Sequence, residues 1–173
     1  VFGRTIDCFP SGKAMRLLLI DNSNTRTKFA VTAPGQQGYD IQRVATRKLE
    51  PALIEKLQAL EFDASVISSV VPEKAALLLK GLAARPLHEI SHQSALSIGI
   101  DYPHPEQIGA DRLANAVAVH ARIGAPAIVV DFGTAVTFDV VGGCETKASY
   151  LGGVIAPGLA SMTDYLHQNT ALL

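Results

Sequence analysis

The chain has 173 residues and a formal net charge of −1, and 48% of its residues are apolar while 18% are charged. That length can bury the core of one large or two small domains. The near-neutral charge, with no Lys/Arg cluster, argues against a nucleic-acid partner. No apolar run approaches the roughly 20 residues that cross a bilayer, so we expect no membrane partner. Cys8 and Cys144 form no CxxC pair, which indicates a reducing compartment, the cytoplasm.

The first half of the chain predicts three hairpin-linked strands followed by two helix–strand units. Strands are expected at 16–21, 26–33, 40–47, 64–71 and 87–91, and helices are expected to begin at Pro51 and Pro72. Proline is favoured at the first position of a helix. The order β-β-β-α-β-α-β, with right-handed crossovers into a mixed sheet, is that of a ribonuclease-H-like lobe.

A proline-stiffened loop from Gly99 to Arg112 leads into a helix that is expected to run to about Ile123. Asp111 falls in the first turn of this helix, where the helix dipole stabilises a carboxylate. Stabilisation by the helix dipole would by itself explain Asp111, and a solvent-exposed charge on the helix surface would explain Arg112. The alternative is a site at a lobe junction, because the Tyr-Pro and Gly-Ala steps before the helix would hold both charges there.

Two hairpins share one design, with an apolar strand, an Asp, a small polar turn and a second strand. The first is built on Asp21, and the second, with strands at 127–131 and 136–141, on Asp131. A turn of this kind suits a phosphate, and its carboxylate is free to hold a cation. The two Asp residues lie about 110 positions apart, which predicts two similar lobes that face each other across a nucleotide. Taken alone, each hairpin also fits an ordinary turn that favours Asp.

The segment after the second hairpin is rich in glycine. A third strand is expected at 150–155, and Gly152-Gly153 and Pro157-Gly158 bracket its apolar centre. Such glycines fit either a tight strand-to-helix turn or close approach of the backbone to a nucleotide. The apolar residues that follow, from Leu159 onward, predict an amphipathic helix.

Four segments, in this order and spacing, resemble the motifs of type III pantothenate kinases. They are Asp21-Asn22-Ser23-Asn24-Thr25 with Lys28, Tyr102 with Gly109-Ala110-Asp111-Arg112, Asp131-Phe132-Gly133-Thr134, and Tyr150 to Gly158. The resemblance runs from about Met15 to the last residue. It implies an α/β protein of the acetate/sugar-kinase, heat-shock and actin superfamily. Its two ribonuclease-H-like lobes, with mixed sheets, would occupy residues 15–110 and 111–173 and hold ATP between them.

The resemblance also implies an activity and its partners. The expected reaction is the ATP-dependent phosphorylation of pantothenate to 4′-phosphopantothenate, the first step of coenzyme A biosynthesis. The expected cofactors are Mg²⁺ with ATP and a monovalent cation, K⁺ or NH₄⁺. The expected assembly is a homodimer.

Roles for individual residues follow from the same resemblance. Asp111 is the expected general base, and Asp131 is expected to hold the monovalent cation. Asp21 would help organise the metal and phosphates, and Lys28 would offset phosphate charge. The expected ATP-binding residues are Asp21, Asn22, Ser23, Asn24, Thr25, Arg26, Thr27, Lys28 and Thr134. The expected pantothenate-binding residues are Tyr102, Gly109, Ala110, Asp111 and Arg112.

The sequence departs from the family pattern in two places. Ser23 stands where the family usually has glycine, and its Cβ restricts a positive φ and would crowd a phosphate. The chain also stops at Leu173, where a family member would continue, so we expect an incomplete second lobe with an unpaired edge and an uncovered apolar face. These departures favour a non-catalytic nucleotide-binding regulatory protein of the same fold as the alternative to a kinase. A phosphotransferase acting on another small alcohol is a third hypothesis.

Overall fold

The computed structural model describes residues 15–36, 38–144 and 147–169, and these form two mixed sheets and four α-helices. The strands are β1 Leu17–Asn22, β2 Arg26–Thr32, β3 Gln42–Ala45, β4 Ala64–Ser69, β5 Leu87–Glu89, β6 Gly99–Ile100, β7 Ala127–Phe132, β8 Ala135–Cys144 and β9 Lys147–Pro157. The helices are α1 Pro51–Gln58, α2 Pro72–Leu82, α3 Ala110–Arg122 and α4 Leu159–Asn169. None of the helices in these ranges is both long and apolar enough to cross a membrane.

The first sheet has the strand order β3-β2-β1-β4-β5. The pairs β1–β2 and β2–β3 are antiparallel, while β1–β4 and β4–β5 are parallel. This is the order of a ribonuclease-H-like lobe, as the sequence predicted. The apolar stripes of α1 and α2 cover one face of the sheet, where Leu18, Ile67 and Leu78 are completely buried.

The second sheet has the order β6-β9-β8-β7 and repeats the hairpin-linked start of the first. The pairs β7–β8 and β8–β9 are antiparallel, and β6 joins β9 in parallel. Helix α3 buries Leu113 and Ala116 in a second core together with Val141 and Tyr150. The two lobes therefore have separate cores, each with its own sheet.

One face of the second sheet is apolar and exposed among the described residues. Ile128, Phe132 and Val154 are between 62% and 67% exposed, and Val130 and Phe138 lie between them in register. The uncovered apolar face expected from the sequence is therefore present.

Several element bounds differ from the sequence prediction, and the differences around β3, β9 and β6 have clear structural causes. β3 is shorter than 40–47, because the chain turns into a 3₁₀ helix, Thr46–Lys48, where Thr46 bonds back to the first hairpin. β9 begins at Lys147 and not at Tyr150, since its hairpin with β8 extends to Cys144. β6 was not predicted, and its pairing with β9 puts Gly99 and Ile100 in the second sheet. The division of the chain at residue 110 stays a prediction.

Candidate active site

The turns of the two Asp-bearing hairpins meet. The hydroxyl oxygens of Thr25, in the β1–β2 turn, and Thr134, in the β7–β8 turn, lie 2.8 Å apart and share a hydrogen bond. Asp21 is the penultimate residue of β1 beside the first turn, and Asp131 is the penultimate residue of β7 beside the second. The turns of the two hairpins therefore face each other, as the sequence predicted.

Asp21 is held from within its own hairpin. Its carboxylate accepts hydrogen bonds from Ser23 Oγ at 3.1 Å and from Lys28 Nζ at 2.9 Å. The Asp21 and Lys28 side chains are 38% and 45% exposed, and an ion pair that is so open to water contributes little stability. Both charges are therefore available to a ligand.

Ser23 does not strain its turn. No residue other than glycine has a positive φ in the described parts of the chain, so the restriction on a Cβ at positive φ does not apply here. The Ser23 hydroxyl instead bonds to Asp21. The departure from glycine is thus accommodated in the local backbone.

A buried polar network supports the first hairpin from behind. Asn22 and Thr27 are 1% and 0% exposed, and Asn22 Nδ2 donates to Thr27 Oγ1 at 2.8 Å. Ser69 Oγ donates to Asn22 Oδ1 at 2.7 Å, and Thr46 Oγ donates to the carbonyl oxygen of Ser23 at 2.6 Å. The side chains of Asn22 and Thr27 are therefore engaged inside the lobe, whereas Asn24, Thr25 and Arg26 are exposed at the turn.

Asp111 lies at the start of α3. Its Oδ1 accepts a hydrogen bond from the backbone N–H of Arg112 at 2.8 Å. A Cβ at Gly109 would come within 2.5 Å of that oxygen, so glycine at this position leaves room for the carboxylate. Burial raises the pKa of Asp111, as do the nearby charges of Asp21, Asp131 and Asp139, while the N–H of Arg112 opposes the shift. Asp111 is thus a carboxyl whose proton affinity is increased by its site.

Asp131 is contacted from α3. Asn115 Nδ2 donates a hydrogen bond to Asp131 Oδ2 at 3.3 Å. Asn115 follows Asp111 by four residues, which places both on one face of the helix. The sequence prediction missed Asn115, although this spacing was a signal that could have found it.

Arg112 is not a solvated surface charge. Its side chain is 14% exposed, and its Nε donates to Oδ1 of Asp139 at 2.6 Å. Asp139 is completely buried in β8, and the same oxygen accepts a hydrogen bond from the Tyr150 hydroxyl at 2.9 Å. The sequence prediction gave neither Asp139 nor Tyr150 a role, and the signal was a charged residue within an otherwise apolar strand.

The glycines of β9 and of the following turn allow close packing. A Cβ at Gly152 would lie 3.2 Å from the Tyr102 ring, and one at Gly153 would lie 2.5 Å from Arg112 Nη2. A Cβ at Gly158 would collide with the carbonyl of Thr134 in the second hairpin turn. Gly152 and Gly153 thus contact predicted pantothenate-binding side chains, and Gly158 contacts a predicted ATP-binding turn.

The carboxylates near the cleft do not form a metal site by themselves. Within residues 15–36, 38–144 and 147–169, no three or more His, Cys, Asp or Glu side chains are placed so that they could hold a metal ion. A cation at Asp21 or Asp131 would therefore need further oxygens, such as those of a phosphate.

Strand order and the two facing hairpins define an α/β protein of the ribonuclease-H-like, actin-like ATPase fold. The family model for type III pantothenate kinases matches residues 17–173. The chain belongs to the type III pantothenate kinase family.

Curated relatives with that name cover most of the chain. The type III pantothenate kinase of Akkermansia muciniphila is 56% identical over 160 residues, which are 92% of this chain and 64% of that protein. The one from Methylacidiphilum infernorum is 41% identical over 91% of this chain and 56% of that protein. The chain therefore spans less than two thirds of the length of these relatives.

Among solved structures, the ethanolamine utilization protein EutJ from Carboxydothermus hydrogenoformans superimposes with a TM-score of 0.47 at 12% identity. The match covers 94% of this chain and 60% of that one. The assignment of the fold rests on the strand order and not on this superposition.

Proposed function

We propose that this chain carries the site for ATP-dependent phosphorylation of pantothenate to 4′-phosphopantothenate, the first step of coenzyme A biosynthesis. The single observation that carries the proposal is the position of Asp111, whose pKa is raised by burial and by the charges of Asp21 and Asp131 on the two facing hairpins. A proton acceptor thus lies close to both predicted phosphate-binding turns. Family membership supports the same reaction.

The proposed reaction needs positioning and charge neutralisation more than covalent help from the protein. The turn residues from Ser23 to Arg26, together with Thr134, bind ATP, and Lys28 offsets phosphate charge. Asp111 accepts the proton of the pantothenate hydroxyl. The hydroxyl oxygen attacks the γ-phosphorus of ATP as the bond from that phosphorus to the leaving ADP oxygen breaks. Tyr102, Arg112 and the helix start at Gly109-Ala110 hold pantothenate.

The proposed cofactors are Mg²⁺ and a monovalent cation, K⁺ or NH₄⁺. When bound with ATP, Mg²⁺ neutralises charge on the phosphate oxygens. Asp21 is the proposed protein group near Mg²⁺, and Asp131, oriented by Asn115, is the one near the monovalent cation. Carboxylate oxygens are ligands of the type that Mg²⁺ and K⁺ take, and they would accept hydrogen bonds from NH₄⁺; phosphate oxygens or water would complete each site.

A homodimer and a cytoplasmic location are part of the proposal. The exposed apolar face around Phe132 and Val154 supports association, since large apolar patches on a free surface mark interaction sites. Sedimentation as a monomer, together with no binding of a hydrophobic dye, would contradict this part. The location rests on the family's metabolic role and on a chain with only two cysteines.

Turnover of pantothenate and ATP tests the proposal directly. The assay uses the 173-residue chain and a version extended at its C-terminus to the length of its relatives. Formation of ADP and 4′-phosphopantothenate by the extended version is the expected result. Nucleotide binding without turnover by either version would favour the non-catalytic alternative, and turnover with only another small alcohol would favour a different phosphotransferase.

A further inference from the structure

Asp139 in β8 and Tyr150 in β9 lie on the second sheet, where Asp139 accepts hydrogen bonds from Tyr150 and from Arg112 of α3. We propose that they position Arg112 and Tyr102 so that the site selects an acceptor substrate that carries a carboxylate. The inference rests on the proposed function, because it concerns the acceptor side of that reaction. Asp139 and Tyr150 are positioning residues, since they act through Arg112 and Tyr102.

The hydrogen bond between Asp139 and Arg112 uses one oxygen of the carboxylate and one nitrogen of the guanidinium. Asp139 Oδ1 accepts from Arg112 Nε at 2.6 Å and from Tyr150 Oη at 2.9 Å. Asp139 Oδ2 and Arg112 Nη2 are both buried and have no hydrogen-bond partner within the described residues. A structural Arg–carboxylate pair gains most from two parallel hydrogen bonds, and this pair forms one.

This geometry fixes the guanidinium plane and leaves donors unused. A guanidinium carries five N–H groups in a rigid fork, so anchoring Nε determines where the Nη groups lie. A buried donor without a partner is costly, and a carboxylate on a bound substrate would satisfy it. A site with such an unpaired donor discriminates strongly against an analogue that lacks the matching acceptor.

Tyr150 extends the same support to Tyr102. The two rings contact edge to face with centroids 6.4 Å apart, and the Arg112 guanidinium lies 5.9 Å from the centre of the Tyr150 ring. Tyr102 packs against Gly152 and Arg112 packs against Gly153, so closely that a Cβ at either glycine would crowd the side chain above it. The buried Tyr150–Asp139 pair and the two adjacent glycines therefore hold Tyr102 and Arg112, both predicted to bind pantothenate, in position.

The test compares pantothenate with pantothenol, which carries a hydroxymethyl group in place of the carboxylate. Steady-state kinetics are measured with the C-terminally extended chain. Asp139→Asn keeps the shape and one acceptor oxygen but removes the charge that orients Arg112. We expect this variant to raise KM for pantothenate about tenfold, reduce the preference over pantothenol to a similar extent, and leave KM for ATP unchanged.

A double-mutant cycle separates positioning from simple destabilisation. Arg112→Lys keeps the charge but loses the fork, so it cannot bond Asp139 and the substrate together. If Asp139 acts through Arg112, Asp139→Asn has no further effect on substrate preference in the background of Arg112→Lys. Additive effects of the two substitutions would overturn the proposal.

Two controls are matched to Asp139→Asn. Glu61→Gln removes a carboxylate charge from the exposed Arg16–Glu61 pair, in which Arg16 Nη1 and Glu61 Oε2 lie 2.7 Å apart. It should leave KM for pantothenate and the preference over pantothenol unchanged. Leu78→Ala destabilises the first core, where Leu78 is completely buried, and should lower Tm without changing substrate preference.

The outcomes distinguish this inference from the proposed function. Wild-type chain that does not phosphorylate pantothenate overturns the proposed function and this inference with it. Wild-type turnover together with an unchanged preference in Asp139→Asn overturns the inference alone and leaves a structural ion pair. If Asp139→Asn fails to fold, Tyr150→Phe keeps the ring and removes one donor. Its preference should then differ from wild type by a few-fold, and an unchanged preference would overturn the inference.

Discussion

Thr25 and Thr134 share a hydrogen bond across the cleft, with 2.8 Å between their hydroxyl oxygens, although they are 109 positions apart in the chain. Each lies in the turn of an Asp-bearing hairpin, and the two hairpins belong to different sheets. The contact brings together the two turns that are predicted to bind ATP. It is exposed to solvent, so its contribution to folding stability is small.

Thr134→Val should therefore affect nucleotide binding more than stability. The substitution keeps the shape of the side chain and removes the hydroxyl that bonds Thr25 and is predicted to contact ATP. We expect KM for ATP to rise several-fold, while the free energy of unfolding falls by less than about 1 kcal/mol. Thr163→Val is the control, because that exposed hydroxyl bonds to its own helix at Leu159 and should change neither quantity. Unchanged KM for ATP in Thr134→Val would remove Thr134 from the nucleotide site.

Thr27→Val, in contrast, should affect stability more than nucleotide binding. Thr27 is completely buried and its hydroxyl bonds both Asn22 and Thr46. A methyl group in its place removes the acceptor of the buried Asn22 amide nitrogen, while the Thr46 hydroxyl keeps its bond to the carbonyl oxygen of Ser23. We expect the free energy of unfolding, measured in urea, to fall by about 1–3 kcal/mol. Thr32→Val in the same strand is the control, because its hydroxyl is only partly buried and makes a single long bond to Ala33. A loss confined to ATP affinity, with stability unchanged, would mean that Thr27 faces the nucleotide instead.

The sequence predicted the first lobe and the two hairpins because their signals are local. Apolar strands that end in Asp, and Pro51 and Pro72 at helix starts, depend only on neighbouring residues. β6 was missed because two residues carry no periodicity, and its position depends on pairing with Ser149 and Tyr150.

The site was predicted less completely than the fold. Asp21 and Asp131 were predicted from the shared design of the two hairpins and Asp111 from its place at a helix start, and the family resemblance supplied their expected roles. The three side chains are near enough to interact electrostatically. Asp139 was missed because its role depends on a contact with Arg112, which lies 27 positions earlier, and alternation along β8 cannot show that contact. Tertiary partners of this kind are absent from any local pattern.

Asp131→Asn should weaken the dependence on monovalent cation while the fold is kept. The substitution removes the charge and retains an oxygen that can accept the hydrogen bond from Asn115. Since Asp131 is exposed, Tm should change little. We expect the K⁺ concentration for half-maximal activity to increase, measured by titration at saturating pantothenate and ATP. An active variant with an unchanged K⁺ titration would remove Asp131 from this role.

Asp111→Asn should abolish most of the turnover. An amide cannot take the hydroxyl proton, and loss of a general base typically costs about 10²–10⁴-fold in rate. We expect the loss in kcat with KM for ATP little changed, whereas Arg112→Ala should mainly raise KM for pantothenate. In the wild type, the acidic limb of the pH–rate profile should lie above 3.8, the ordinary pKa of Asp, because burial and neighbouring carboxylates raise the pKa of Asp111. A near wild-type rate for Asp111→Asn would leave Asp111 as a helix-start carboxylate only.

The same substitution should increase stability at neutral pH. The pKa of Asp111 is raised in the folded protein by burial and by the charges of Asp21, Asp131 and Asp139, so the folded state binds this proton more tightly than the unfolded state does. The resulting stabilisation is fully present below the ordinary Asp pKa and is lost as the pH rises through the raised value. The site therefore disfavours the charged form of Asp111, and Asp111→Asn removes that charge while an amide oxygen can still accept from the N–H of Arg112. We expect Tm of the variant to exceed that of the wild type at pH 7, and the difference to shrink as the pH is lowered toward about 4. Asp164→Asn on α4 is the control for loss of an exposed charge. A Tm for Asp111→Asn at or below that of the wild type at pH 7 would show that the ionised carboxylate is stabilised by its site.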